Sequence, residues 1–245
     1  MEIYTLGEGR RLRVCQAILA DATAGIDGKI LLLPIPTSRD NTYITSTSTP
    51  VSDIGEMARH CSLVAGYNIP RGVIDGSVRV YDGALDEEFL EKNAILTARG
   101  ALGYILTQWQ RDISDMKIGV IGYGRIGREM LRLLLLFGVD TTLYTRRKSV
   151  AIELCEAGIS AELIELGDCP TGLDILINTT PERLVDQSKL ESKTEIIDLA
   201  SGNIFEPGER LIKMASIPDK MYPESAGRLY AEGILSHLRG EGIIL

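Results

Sequence analysis

Residues 118–130 read IGVIGYGRIGREM: an apolar run, three glycines spaced as Gly122-x-Gly124-x-x-Gly127, and the start of a helical apolar pattern. A bare glycine triplet constrains little, but one that leaves a strand and opens a helix has a mechanical meaning. Gly122 lets the chain turn sharply off the strand, and Gly124 removes the side chain that would keep a diphosphate from the backbone. Gly127 lets helix and strand pack closely. The amides and positive end of the following helix then favour phosphate. The spacing predicts a Rossmann unit with a dinucleotide over Gly122, Tyr123, Gly124, Arg125, Ile126 and Gly127.

The end of the next strand sets the choice between NAD and NADP. A carboxylate there would bind the adenosine 2′-hydroxyl and repel a 2′-phosphate. Strand TTLYT instead ends in Thr145, Arg146, Arg147 and Lys148. Arginine forks suit phosphate, so NADP is the expected cofactor, with NAD as the alternative. One or two charge-assisted contacts would favour the phosphorylated form by roughly one to two orders of magnitude. Further on, DILI runs into Asn178, Thr179, Thr180 and Pro181, a polar turn placed along the crevice where a dinucleotide rests. Asp198 ends a later strand and is expected to hydrogen-bond internally. His60 and His237 lie in helical stretches. Neither has a partner pattern that makes it a catalytic base, so the catalytic group stays unassigned.

Net charge is −8 over 245 residues, without a basic run, which argues against nucleic acid. Cys15, Cys61, Cys155 and Cys169 form no CxxC pair, so neither a zinc site nor a disulfide framework is expected, and each is read as a buried or semi-buried thiol. No apolar run is long enough for a membrane span, and a cytoplasmic protein is expected.

Strand and helix signals alternate from the N-terminus, which predicts parallel sheets covered by helices. Ile3–Leu6, Lys29–Ile35 and Val78–Tyr81 read as strands, and 9–20 as a helix with Leu12, Cys15, Ile18 and Leu19 inward. Ser52 is read as the cap of a helix near 53–61. A helix over 97–112 precedes the glycine strand, and later strands are expected at 161–164, 174–178 and 195–199. Pro223 starts a last helix over 224–238. The expected architecture is a small α/β domain over 1–95, then a doubly wound Rossmann domain over 96–245 whose last helix is free to pack back on the first.

AGYNIP at 65–70, LTARGALGYIL at 96–106, DILINTTP at 174–181, EIIDLASG at 195–202 and PESAGRLYAEGIL at 223–235 join the glycine segment in a recognisable order. On these residues the chain resembles the A subunit of dipicolinate synthase, a family related to two-domain 2-hydroxyacid and alanine dehydrogenases. The resemblance implies a flavodoxin-like first domain, a Rossmann second domain and an active site in the cleft between them. It implies oxidation of dihydrodipicolinate, a small dicarboxylate, to dipicolinate with NADP in sporulating bacteria, alongside a flavoprotein-like second subunit. Arg99 and Glu224 depart from the family's expected pattern. A 2-hydroxyacid dehydrogenase-like enzyme and a non-catalytic NAD(P)-binding regulatory subunit stand as alternatives, and a homo-oligomer is left open.

Overall fold

A computed structural model describes residues 1–244. The chain divides into two compact units, one formed by 1–93 with the stretch from Pro218 onward, the other by Ala94–Ile217.

In the first unit, β1 (Glu2–Thr5), β2 (Lys29–Leu32), β3 (Leu63–Gly66) and β4 (Arg79–Asp82) form a parallel sheet in the order β1-β2-β3-β4. That is what a flavodoxin-type order, 2-1-3-4-5, becomes when its second strand is absent. The inner strands KILL and LVAG are apolar because both their faces are covered, while β1 and β4 are the partly exposed edges. β2 stops four residues into the predicted KILLLPI run, before Pro34 and Pro36. α1 (Arg10–Ala22) buries Arg11, Leu12, Cys15 and Leu19, and packs against α7 (Pro223–Gly240), which Pro223 begins. The predicted cap at Ser52 is not formed. Ser52 lies inside a 3₁₀ turn (Val51–Asp53), its hydroxyl on the Asp53 carboxylate, and α2 (Ile54–Ala58) has no side-chain cap.

α3 (Glu87–Gln108) starts ten residues before the predicted helix, and the division between the units falls within it. Asp86 starts it: the Asp86 carboxylate accepts the Phe89 amide at 2.9 Å, satisfying a donor the helix cannot.

The second unit is a parallel sheet in the order β10-β9-β8-β5-β6-β7, the Rossmann arrangement. Its strands are β5 (Lys117–Ile121), β6 (Asp140–Thr145), β7 (Ala161–Leu163), β8 (Ile175–Asn178), β9 (Glu195–Asp198) and β10 (Leu211–Lys213). Side chains alternate between the faces. Ile118, Val120, Ile175, Ile177 and Ile197 meet α3, α4 (Arg125–Leu136) and α5 (Lys148–Glu156) on one side. Ile121, Tyr144, Leu176 and Ile196 meet Leu184, Val185, Leu190 and Phe205 on the other. Each such burial contributes about 1.5–3 kcal/mol. Among the described residues no α-helix lies between β7 and β10; irregular chain and a 3₁₀ turn (Gln187–Lys189) cover that face. α6 (Ile217–Met221) leads into α7.

Among the described residues no helix is long and apolar enough to cross a membrane. Cys155 is exposed, against expectation, its thiol donating to the Ala161 carbonyl at 3.4 Å; Cys15 is buried and Cys61 and Cys169 half-buried.

Candidate functional site

The carboxyl ends of β5, β6 and β8 carry the predicted cofactor residues. Register continues one residue past β5, where the Gly122 amide donates to the Tyr144 carbonyl at 2.9 Å. There the chain turns with φ 93° at Gly122, a conformation that favours glycine. Gly124 precedes α4, whose first amides have no side-chain cap, and a Cβ built on Gly124 meets nothing within 4 Å. At Gly127 a Cβ would lie 2.1 Å from the Gly122 carbonyl oxygen. Open space over Gly124 beside uncapped amides fits a diphosphate. Tyr123 and Ile126 are half-buried against the core, and Arg125 is the first residue of α4.

Thr145 ends β6 buried, its hydroxyl accepting the Arg147 amide at 3.2 Å. The Arg147 guanidinium reaches back to the glycine turn, donating to the Tyr123 carbonyl and lying 5.8 Å from the centroid of the Tyr123 ring. Arg146 is held differently: its Nη2 lies 2.7 Å from Oε1 of Glu182, in the segment after β8. Burial, reinforced by the Glu162 charge, pushes the neighbouring Tyr144 phenol up to about 12, so it stays neutral.

The Asn178 and Thr179 side chains are committed internally. Asn178 is buried and donates to the Asp198 carboxylate at 2.8 Å and the Thr180 carbonyl at 2.9 Å. The Thr179 hydroxyl donates to the Ile121 carbonyl at 2.8 Å, tying this turn to the exit of β5. Thr180 accepts the Glu182 amide at 3.4 Å, and Pro181 is exposed. Asp198 is buried and engaged as expected: it also accepts the Ala200 amide at 3.1 Å and the Lys213 ammonium at 2.6 Å. A carboxylate so occupied fixes its loop and is poorly placed to take a substrate proton.

Sequence reasoning misses Glu182 and Lys213. Lys213 lies on a three-residue strand with almost no periodic signal, and Glu182 meets Arg146 only because β6 and β8 flank β5. Both histidines lie in the first unit. His60 is exposed in the turn after α2 rather than inside a helix. His237 packs its ring 5.8 Å from Tyr81, in the first unit.

Residues 104–205 match the model of the NAD-binding domain of D-isomer specific 2-hydroxyacid dehydrogenases. No curated protein matches the chain. Among solved structures, the A subunit of dipicolinate synthase from Bacillus halodurans is similar at 20% identity, covering 97% of each chain with a TM-score of 0.71. The A chain of dipicolinate synthase from Bacillus subtilis is 19% identical, covering 98% of this chain and 96% of its own, with a TM-score of 0.73. An NAD-complexed D-isomer specific 2-hydroxyacid dehydrogenase from Lactobacillus delbrueckii ssp. bulgaricus is 12% identical over 100% of both chains, with a TM-score of 0.54. At these identities the structures establish a shared fold. The family match adds that residues 104–205 are similar to an NAD-binding domain.

Proposed function

We propose that this chain is an NAD(P)-dependent oxidoreductase of the type found in the A subunit of dipicolinate synthase, preferring NADP. The carrying observation is the glycine turn: two glycines are required by packing, and the third opens free space beside uncapped helix amides. Thr145, Arg146 and Arg147 replace the strand-end carboxylate of an NAD-selective site. The cofactor would supply hydride acceptance, and this chain's residues would bind and orient it. The proposed substrate is the dicarboxylate dihydrodipicolinate, which loses a hydride to the nicotinamide and a proton to water to become aromatic. A flavoprotein-like second subunit is the proposed partner.

The test is to incubate the purified chain with NADP and freshly generated dihydrodipicolinate and to follow reduced nicotinamide and dipicolinate together. Their appearance in equal amounts is the expected result. The family match favours a second reading, in which a 2-hydroxy acid is the substrate; NADH- or NADPH-dependent reduction of 2-oxo acids would select it. Dinucleotide binding without turnover of either substrate, in the presence or absence of the partner, would leave a regulatory binding protein.

A further inference from the structure

Resting on the dinucleotide reading above, the geometry points to Glu182 as a specificity-determining residue. We infer that Glu182 and Arg146 form a two-way selector at the ribose end of the site. The carboxylate serves the unphosphorylated cofactor, the guanidinium serves the phosphorylated one, and their mutual ion pair limits the preference for either.

In a parallel sheet of this order, an acidic residue at the end of the second Rossmann strand would accept the adenosine 2′-hydroxyl. That strand is β6, and it ends without a carboxylate: Thr145 there is buried with its hydroxyl on a backbone amide. Glu182 supplies a carboxylate from elsewhere. It lies 36 residues further along the chain and reaches the guanidinium of Arg146, the first residue after β6. Because β8 and β6 lie on opposite sides of β5, the pair bridges the end of the strand that feeds the glycine turn. A dinucleotide whose diphosphate rests over Gly124 directs its adenosine ribose toward the β6 end.

Both partners keep about half of their side-chain surface, at 58% for Arg146 and 47% for Glu182. An ion pair this exposed is weak and opens readily to a stronger partner. A 2′-phosphate is such a partner, carrying more charge and more acceptor oxygens than one carboxylate. Its arrival takes Arg146 from Glu182 and leaves a like charge beside the phosphate. A 2′-hydroxyl instead donates to Glu182, and the ion pair stays closed.

Titration calorimetry of NADH and NADPH into the full-length protein, Glu182→Gln and Arg146→Met tests this. Glu182→Gln is expected to bind NADPH more tightly and NADH more weakly, moving the ratio of their dissociation constants by about fivefold toward NADPH. Arg146→Met is expected to move it by a similar factor the other way. An unchanged ratio in Glu182→Gln, with the wild-type protein binding both cofactors, overturns the selector and leaves the dinucleotide reading intact. Failure of the wild-type protein to bind either cofactor overturns that reading, and the selector with it. Thermal unfolding of both variants checks that these exposed substitutions leave the fold in place.

Discussion

The Cβ that Gly127 lacks would lie 2.1 Å from the carbonyl oxygen of Gly122. α4 therefore rests directly on the turn that precedes it, and neither residue can carry a side chain in this geometry. Gly122 is confined from the other side as well, since a Cβ there would meet the Thr179 hydroxyl at 2.9 Å. That hydroxyl donates to the Ile121 carbonyl, so the turn is clamped between its own helix and the neighbouring strand's exit. Gly124 is the exception, with free space where the other two have neighbours.

This contrast separates folding from binding. Gly127→Ala is expected to cost about 1–3 kcal/mol of stability, because a methyl group is forced against backbone. Gly124→Ala keeps an ordinary φ of −84° and meets no atom, so its stability should change by no more than about 1 kcal/mol. Its affinity for dinucleotide should nevertheless fall by roughly tenfold or more, as a methyl enters the diphosphate's space. Thermal unfolding and calorimetric titration read the two effects separately. Full affinity in a folded Gly124→Ala would move the cofactor away from this turn.

Cofactor preference should be smaller than the strand-end residues alone imply. The sequence offers two arginines to a 2′-phosphate, but one is paired with Glu182 and the other already serves Tyr123. The expected preference for NADPH over NADH is therefore about tenfold, near one net charge-assisted contact. It should shrink as salt rises, because an exposed phosphate site is screened. Replacing Arg146 and Arg147 together with alanine should remove it while NADH affinity changes little. Tighter binding of NADH than of NADPH by the unmodified chain would reverse the assignment.

Local chemistry decides what is legible in the sequence. The strand, glycine turn and helix over 117–136 are readable because each element is specified within a few residues. The early start of α3 also has a local signal that periodicity misses: Asp86 before Glu87-Glu88-Phe89 is a capping pattern. Glu182 has none, since its meeting with Arg146 depends on strand order rather than spacing. Arg11 is equally hidden. It looks like a solvent-facing arginine on α1, yet it is buried by residues far along the chain.

Asp174 offers a test of how the second sheet is anchored. It accepts the Lys117 amide at 2.9 Å and an Arg111 guanidinium nitrogen at 3.3 Å, joining the start of β5 to the segment before β8. The backbone amide first, and Arg111 second, hold its carboxyl below the ordinary 3.8. A lowered folded value means that the stabilisation is complete above about pH 4 and is lost as pH falls through the folded value. Asp174→Ala should cost about 1 kcal/mol near pH 7, given the partial exposure. The Tm gap between the two proteins should narrow as pH falls from about 4 through the lowered folded value, and a gap unchanged in acid would contradict this account.

Arg11 and Asp219 make the sharpest stability prediction. The Arg11 guanidinium donates to Asp219 at 3.3 Å and Asn93 at 3.2 Å, and lies against the rings of Phe89 at 5.6 Å and Tyr230 at 5.9 Å. Its Nε is buried without a hydrogen-bond partner among the described residues, so it adds desolvation cost without a bond. Burial raises the Asp219 carboxyl above its ordinary 3.8, with Arg11 opposing that rise. Arg11→Met removes the larger of two opposing charges, Arg39 being the other, and leaves a half-buried carboxylate, which should cost about 1–3 kcal/mol at neutral pH. Adding Asp219→Asn removes the stranded charge, so the double variant should recover much of that loss. The pH dependence follows in sign. A raised folded value favours the protonated group, a contribution fully present below the unfolded value and lost as pH rises through the folded one. Arg11→Met should raise that folded value further, so its deficit should narrow as pH is lowered from about 7 toward about 4. Denaturant unfolding of the four proteins in a double-mutant cycle, at both pH values, measures the coupling directly. Additive single effects, with a deficit independent of pH, would show that Arg11 acts through packing on Phe89 and Tyr230 alone.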